Sequence, residues 1–463
     1  MNITFGTSGW RGIISRDFTW DRAMSVVDAI GVFLSESGFR SVAVGGDCRF
    51  LSPELSQATA ERLSSSGFDV FLSRGPVPTP VLSHACRSRG LGGVINFTAS
   101  HNPPLYNGIK FSPGHGGPAD SMATGRIEEL IRLGETPLQS SGSISTVDFV
   151  TPYLKDINCF INADLFRAHD SLRVVYDAFS GAGSGVLDRK LCELGASIRV
   201  IHGTRDPLFA GRDHPEPNAH GLLELSGEVV KSGASLGVAT DGDADRFGIV
   251  DENGEFVTPH DFLALLLDYL AESGRSGAAV RSVTTGNLMD RVAAARGIQV
   301  KVTPVGFKHL GSAMLSGNVM LAGEESGGLS VGGHIPEKDG VLACLLAAEM
   351  VCARGEGLAA QLDKLWNKHG RLFNIRVDLP LSSDTRDRIQ RDWLCSDPRN
   401  AAGRPVLGID RTDGVKLLFG PDTWVLVRLS GTEPLARVYI QSSSTSLCDE
   451  LAATLTREFE GNP

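Results

Sequence analysis

Apolar residues along the chain recur in two rhythms. Trp20, Ala23, Val27, Ile30 and Leu34 fall at the three- and four-residue spacing of one helix face, with Thr19 placed to cap that helix and Gly38 to stop it. Short apolar runs between turn residues predict strands at 41–45, 69–72 and 93–97, and helices at 80–87 and from Ser52-Pro53 to near Gly67. Ser52 suits the cap of that last helix and Pro53 its first helical position. The alternation then restarts twice. Strand 172–176, helix 185–194 and strands 198–201 and 236–239 make one round; strand 281–284, helix 288–295 and strands 300–302 and 319–321 make the other. Each round has a helix, a glycine (Gly67, Gly195, Gly297) and a short strand, which predicts three related α/β units with largely parallel sheets. The last segment differs: strand 375–379, helix 385–393, strands 424–429 and 436–441 and a terminal helix read as α+β. Boundaries are expected in the Ser-rich stretch 139–146, near Asn253-Gly254 and near His369-Gly370, giving domains 1–145, 146–253, 254–370 and 371–463.

Composition fits this reading. The chain has 463 residues, 41% hydrophobic and 21% charged, enough for several cores and incompatible with wholesale disorder. No apolar run approaches the roughly 20 residues that span a bilayer. Met1 to Gly6 lacks a basic and then apolar leader, so a cytoplasmic location with no membrane partner is expected. Eight dispersed cysteines with no C-x-x-C pair read as reduced, buried thiols rather than zinc ligands or disulfides. The net charge of −10 argues against non-specific binding to nucleic acid, and an anionic ligand would need a local basic pocket.

Four loops carry candidate chemistry. Thr98-Ala99-Ser100-His101-Asn102-Pro103-Pro104 follows the strand at 93–97; its prolines prevent a helix from starting there, leaving a stiff, exposed loop able to hold Ser100 as a nucleophile. A Ser-His pair alone is equally a turn with a local hydrogen bond. Asp241-Gly242-Asp243-Ala244-Asp245-Arg246 follows strand 236–239. Its alternating carboxylates can converge on one hard cation, magnesium or calcium rather than zinc, or form a structural Asp-rich turn. Glu252 stands twelfth from Asp241, as in an EF-hand, but 247–250 reads as a strand and excludes that motif. Gly323-Glu324-Glu325-Ser326-Gly327-Gly328 offers paired acceptors for vicinal sugar hydroxyls, or a plain glycine turn. The stretch from Arg428-Leu429-Ser430-Gly431-Thr432 to Arg437 combines two arginines, two hydroxyls and backbone amides, which suits a phosphate or an exposed loop with ordinary ion pairs.

Together with Gly6-Thr7-Ser8-Gly9-Trp10-Arg11-Gly12, these loops in this order resemble the α-D-phosphohexomutase superfamily, most closely its bacterial phosphoglucomutase/phosphomannomutase branch, over essentially the whole chain. The resemblance implies an α/β fold of three similar domains with mixed, mostly parallel sheets and a smaller α+β C-terminal domain around a central cleft. It implies an isomerase that interconverts hexose 1- and 6-phosphates through phosphorylated Ser100 and a hexose 1,6-bisphosphate, which also serves as primer. Mg2+ would be held by Asp241, Asp243, Asp245 and a phosphoserine oxygen of Ser100. Arg11, His101, Lys110 and Arg246 would supply proton transfer and positive potential; which of them is the base is left open, because Lys110 would need its pKa lowered by cationic surroundings. Asp47 and Arg49 match a motif that supports the serine loop.

Glu324 and Ser326 would bind the sugar, Lys308 would reach substrate from Thr303-Pro304-Val305-Gly306-Phe307-Lys308, and Arg428, Ser430, Gly431, Thr432 and Arg437 would hold the phosphate that is not reacting. His334, Lys338 and Asp339 stand open between structural and cleft-lining roles. The sugar loop resembles the glucose form: Glu325 and Gly328 stand where mutases for mannose or glucosamine phosphate often carry Met or Gln, and His. Glucose phosphate is therefore expected. Mannose phosphate, dual specificity, glucosamine phosphate and a non-catalytic sugar-phosphate binder are the alternatives. The only partner implied is a small sugar phosphate, acting on a monomer or homodimer.

Overall fold

The computed structural model describes residues 3–6, 9–169, 171–430 and 435–460. They form two compact units, Met1–Pro259 with Gly306–Gln361, and His260–Val305 with Leu362–Pro463. The segment expected as a third domain, 254–370, contributes to both. Among the described residues no helix is long and apolar enough to cross a membrane.

In the first unit, Ser41–Gly46 runs parallel to Gly93–Phe97 on one side and to Asp69–Ser73 on the other, with Ser143–Val147 parallel at that edge. Tyr106–Pro113 and then Trp10–Ile13 extend the sheet antiparallel beyond Gly93–Phe97. The central strands are buried along nearly their whole length, which is why they read as continuous apolar runs. Helix Trp20–Glu36 buries Ala23, Val27, Ile30 and Leu34 as its periodicity predicts, but Trp20 at its first turn stays half exposed. Ser52 is the first residue of helix Ser52–Ser64 rather than its cap; Leu51 caps it, and the Ser52 hydroxyl donates instead to the Phe97 carbonyl at 3.3 Å. The Ser-rich stretch expected as a domain boundary contains the edge strand Ser143–Val147, whose residues are mostly exposed and so leave no hydrophobic alternation to read.

The second sheet repeats the plan. Arg173–Asp177 pairs parallel with Ser197–Ile201 and with Leu236–Thr240, and Phe247–Val250 and Phe256–Val257 continue it antiparallel. In the third round Ala278–Ser282 pairs parallel with Val300–Thr303, and Val319–Glu324 pairs antiparallel with Gly328–Val331. A parallel strand–helix–strand followed by an antiparallel pair thus recurs three times. The C-terminal part of the second unit is α+β: Phe373–Pro380, Leu435–Ser442, Trp424–Leu429, Val415–Leu418 and Gly408–Asp410 form an antiparallel sheet in that order, with helix Thr445–Glu460 packed on it. The helix expected at 385–393 begins as Ser383–Ile389 and ends in a π-helical turn, Gln390–Leu394.

Two buried polar arrangements stand out. Asp339 caps helix Gly340–Arg354 by accepting from the Leu342 amide at 2.9 Å. It also accepts from the Tyr153 hydroxyl at 2.8 Å and pairs with His334 Nε2 at 2.7 Å, so His334 and Asp339 are structural. In the second unit Lys416 is buried, donates to the Val283 carbonyl at 3.0 Å and lies 3.7 Å from the Trp424 ring centroid. Burial, reinforced by Arg281, pushes its pKa down to about 7.

Both arrangements, and the cap that Asp120 supplies to helix Ser121–Leu133, carry stability predictions. Removing the exposed cap in Asp120→Ala, whose carboxylate accepts from the Met122 and Ala123 amides, costs about 1 kcal/mol. Asp339→Ala leaves Tyr153, His334 and an amide unpaired in the interior and costs about 3 kcal/mol or more. Denaturant titration should rank them in that order. Lys416 binds its proton less tightly folded than unfolded, so the unfolded chain carries more protons between pH 7 and the ordinary lysine range and folding gains stability as pH rises through that window. Thermal unfolding should show that gain in the wild type and lose it in Lys416→Met.

Candidate active site

Strand Gly93–Phe97 delivers its chain directly into the serine loop. Ser100 adopts a positive φ of 52° and is buried, as are Thr98 and Ala99, so the loop is enclosed where the sequence predicts exposure. Its amide donates to Thr98 Oγ1 at 2.9 Å, and that hydroxyl donates to Asp47 Oδ2 at 2.6 Å. Arg49 fixes the rest. Its buried guanidinium donates to the carbonyls of Ser100 and Asn102, both at 2.6 Å, Pro103 at 2.7 Å and Tyr106 at 2.9 Å, while Nε reaches Asp47 Oδ2 at 3.2 Å. Its carbon sits 4.8 Å from the Phe209 ring centroid. Only a planar, multi-donor fork satisfies that many carbonyls from one side chain, so Lys is no substitute. Asp47 and Arg49 thus support the serine loop from beneath, through a hydroxyl on one side and four carbonyls on the other.

The acidic loop lies against the serine. Ser100 Oγ donates to Asp241 Oδ2 at 2.7 Å, and the other Asp241 oxygen accepts from the Arg246 amide at 3.0 Å. A Cβ on Gly242 would lie 2.8 Å from the Ser100 carbonyl, so glycine is required for the two loops to approach this closely. Asp243 and Asp245 face Lys110, whose ammonium donates to an oxygen of each at 2.6 and 2.7 Å. Lys338 meets the same Asp245 oxygen at 2.9 Å, and Thr79 donates to Asp243 at 2.5 Å while accepting from Asn96 at 2.8 Å.

All three carboxylates are fully buried, and ligand oxygens from each lie within 4.8 Å of one another. Asp243 Oδ1 and Asp245 Oδ1 are buried with no hydrogen-bond partner. Oxygen-only donors with unpartnered lone pairs are what a hard divalent cation requires, so the triad fits magnesium.

Electrostatics separate the candidate acid–base groups. Burial would depress the Lys110 pKa, but Asp243 and Asp245 outweigh it and hold the ammonium above its ordinary value. The cationic surroundings expected to lower it therefore do not prevail, and Lys110 as placed is a charge donor. His101 is the opposite case: burial, then Arg246 and Arg11, hold it well below the usual imidazole range. It is a neutral ring whose Nδ1 lies 3.5 Å from Ser100 Oγ. Burial raises Asp241, with Asp245 and Asp243 adding to the effect. Arg11 donates to Asn102 Oδ1 at 2.5 Å, and Arg246 to Glu216 at 2.6 Å.

The expected sugar loop joins the same unit. Strand Val319–Glu324 ends on Glu324, which is buried and accepts from Ser326 Oγ at 2.8 Å, and the Gly327 carbonyl accepts from the Phe247 amide at 2.9 Å, next to Arg246. A Cβ on Gly328 would lie 2.4 Å from Lys338 Cδ, so the bare glycine gives its space to the lysine stem. Lys308 is the second residue of helix Phe307–Ser316, partly exposed. Sequence reasoning left Lys338 open and missed Thr79 and Glu337. Lys338 and Glu337 adjoin Asp339 as a charged run with no motif of their own, and Thr79, between two prolines, carries no signal at all.

Arg428 and Arg437 belong to the second unit, directly opposite each other on adjacent antiparallel strands, with Arg428 paired to Asp413 at 2.8 Å. Like charges in that register are unfavourable unless an anion is shared, and Arg428 Nε is buried without a hydrogen bond. The Ser430 amide donates to the Leu435 carbonyl at 2.8 Å. Gly431 and Thr432, like Thr7 and Ser8 of the amino-terminal motif, lie outside the described residues.

Comparison with known proteins places this geometry. Residues 2–137, 151–254 and 258–369 match phosphoglucomutase/phosphomannomutase alpha/beta/alpha domains I, II and III, and residues 392–458 match the C-terminal domain of the same family. A phosphoglucomutase/phosphomannomutase of Thermococcus kodakarensis is 32% identical over 96% of this chain and 95% of its own. A phosphoglucosamine mutase of Caldicellulosiruptor saccharolyticus is 29% identical over 95% of each chain. A crystal structure from Thermus thermophilus, described as a candidate phosphomannomutase, is 34% identical with a TM-score of 0.88, covering 100% of both chains. With all four domains present in order, the chain belongs to the phosphoglucomutase/phosphomannomutase family of the α-D-phosphohexomutase superfamily.

Proposed function

We propose that the protein interconverts hexose 1-phosphate and hexose 6-phosphate, with glucose phosphate as its preferred substrate. The observation that carries this reading is the Ser100 hydroxyl, held by a buried loop and hydrogen-bonded at 2.7 Å to a triad of buried carboxylates that retain unpartnered oxygens. Magnesium held by Asp241, Asp243 and Asp245 with a phosphoserine oxygen would neutralise charge during in-line transfer. The chain's own residues do the rest.

Ser100 carries the phosphoryl group and gives it to the free hydroxyl of the bound sugar phosphate; the bisphosphate turns over and returns its other phosphate to Ser100. Arg49 keeps the serine loop rigid throughout, which favours a near-attack geometry. Arg11, Lys110 and Arg246 provide positive charge around the transferring group. His101 is neutral before transfer and offers Nδ1, 3.5 Å from Ser100 Oγ, as a proton acceptor, whereas Lys110 acts as a cation. Glu324 and Ser326 bind sugar hydroxyls, Lys308 reaches substrate from its helix, and Arg428, Ser430, Gly431, Thr432 and Arg437 hold the remote phosphate. Holding the phosphate that is not reacting would keep the sugar in register for both half-reactions. A hexose 1,6-bisphosphate primes the cycle, and the domains take the boundaries 1–145, 146–253, 254–370 and 371–463.

Support for glucose comes from the sugar loop. Gly328 leaves room for Lys338, which pairs with Asp245; a histidine there, which mutases for mannose or glucosamine phosphate often carry, would displace the lysine stem. Relatives named for glucose or mannose and for glucosamine match at similar identity, so turnover is the discriminating measurement.

Three outcomes test the proposal. Ser100→Ala should lose phosphate incorporation and mutase turnover together, and full activity in that variant rejects the mechanism; free phosphate released as fast as product forms would make the protein a phosphohydrolase. Assayed side by side, glucose 1-phosphate should give a higher kcat/KM than mannose or glucosamine 1-phosphate, and the reverse order reassigns the sugar. Gly328→Ala should lower kcat/KM on the order of tenfold or more with the fold retained, because the added methyl moves Lys338 off Asp245.

A further inference from the structure

Lys110 and a divalent cation compete for the same carboxylates. The ammonium donates to Asp243 Oδ2 and Asp245 Oδ2, and a cation bridging the triad draws on those groups and repels the ammonium at short range. Lys110 is only 6% exposed, so an ammonium that leaves these oxygens cannot simply swing into solvent. It needs a second buried acceptor.

Glu337 meets that requirement. It is buried and lines one narrow cavity together with Lys110, Phe111, Ser112 and Pro118. Its Oε1 accepts from the Lys338 amide at 2.9 Å, which fixes the carboxylate in place. The charges already interact: burial pushes the Glu337 pKa up to about 7, against an opposing pull from Lys338 and Lys110. Lys338, the other cation on Asp245, is less free to move, since its stem is packed on Gly328 and its charge also serves Glu324.

We infer that Glu337 is a positioning residue that receives the Lys110 ammonium when a divalent cation binds the Asp241, Asp243 and Asp245 carboxylates, so that cation binding and Lys110 placement are coupled. The inference rests on reading the triad as a cation site, and the test separates the two. Mn2+ binding is measured by titration on the full chain after chelation, for wild type, Glu337→Gln, Lys110→Met and the double variant. Glu337→Gln should weaken Mn2+ on the order of tenfold, because the displaced ammonium loses its acceptor. Lys110→Met should tighten it by removing the competitor. In the Lys110→Met background the Glu337 substitution should change affinity less than twofold. An equal loss in both backgrounds, or none in the wild-type background, overturns the inference while leaving the cation site standing. Failure of the wild type to bind Mn2+ removes the cation reading and this inference with it. A crystal structure of the wild type with Mn2+ gives the answer without any variant: Lys110 Nζ within about 3.2 Å of the Glu337 carboxylate is the expected result. Lys110 still on both aspartates beside the bound ion overturns it.

Discussion

Three carboxylates buried together in one loop are the constraint from which much of the first unit follows. Each ion taken out of water costs several kcal/mol, and like charges this close add to that cost. Cations offset it, two of them from elsewhere in the chain: Lys110 from strand Tyr106–Pro113 and Lys338 from the turn before helix Gly340–Arg354, with Arg246 from the acidic loop itself. At an effective dielectric near 20, two opposite unit charges about 4 Å apart attract by about 4 kcal/mol. The strands that carry these residues therefore converge on one point, and Ser100 sits there because Arg49 leaves its loop no alternative path. Rigidity of the serine loop and burial of the acids are the same feature seen from two sides.

How far the sequence reveals this depends on whether partners are near neighbours. Gly93–Phe97, Phe247–Val250 and Trp424–Leu429 are legible residue for residue, because each is an apolar run ended by a polar loop. The acidic triad is legible for a similar reason: its members alternate along one loop. Tyr106–Pro113 is not, since Asn107-Gly108 reads as a turn and Lys110 interrupts the apolar pattern, although burial of the lysine is why the strand matters. Ser143–Val147 and the exposed Trp20 escape because edges and helix ends carry little hydrophobic signal. Lys338 and Thr79 escape because their partners are distant in sequence and only the fold brings them together.

The family motifs carried what periodicity could not. They named Asp47, Arg49 and the triad by position, and the geometry supplies physical reasons for each. They said nothing reliable about protonation. A lysine among arginines suggests a depressed pKa, yet two aspartates at hydrogen-bond distance reverse that expectation, while His101, held down by burial and then by Arg246 and Arg11, is the group left neutral. Burial and local charge balance, and not the acidic excess of the whole chain, decide which groups can move protons.

Lys338 also links two loops that the sequence presents separately. Its ammonium contacts Asp245 at 2.9 Å and its charge offsets the burial of Glu324, so one cation serves both the acidic triad and the loop that carries Glu324. It reaches both only because Gly328 has no side chain. A residue at that position large enough to contact a sugar would push the stem away and change the charge balance around Asp245. On the proposed function, sugar preference and phosphoryl-transfer rate would therefore not be independent variables: a substitution at Gly328 that moves Lys338 alters the electrostatics of the acidic triad through that single shared lysine.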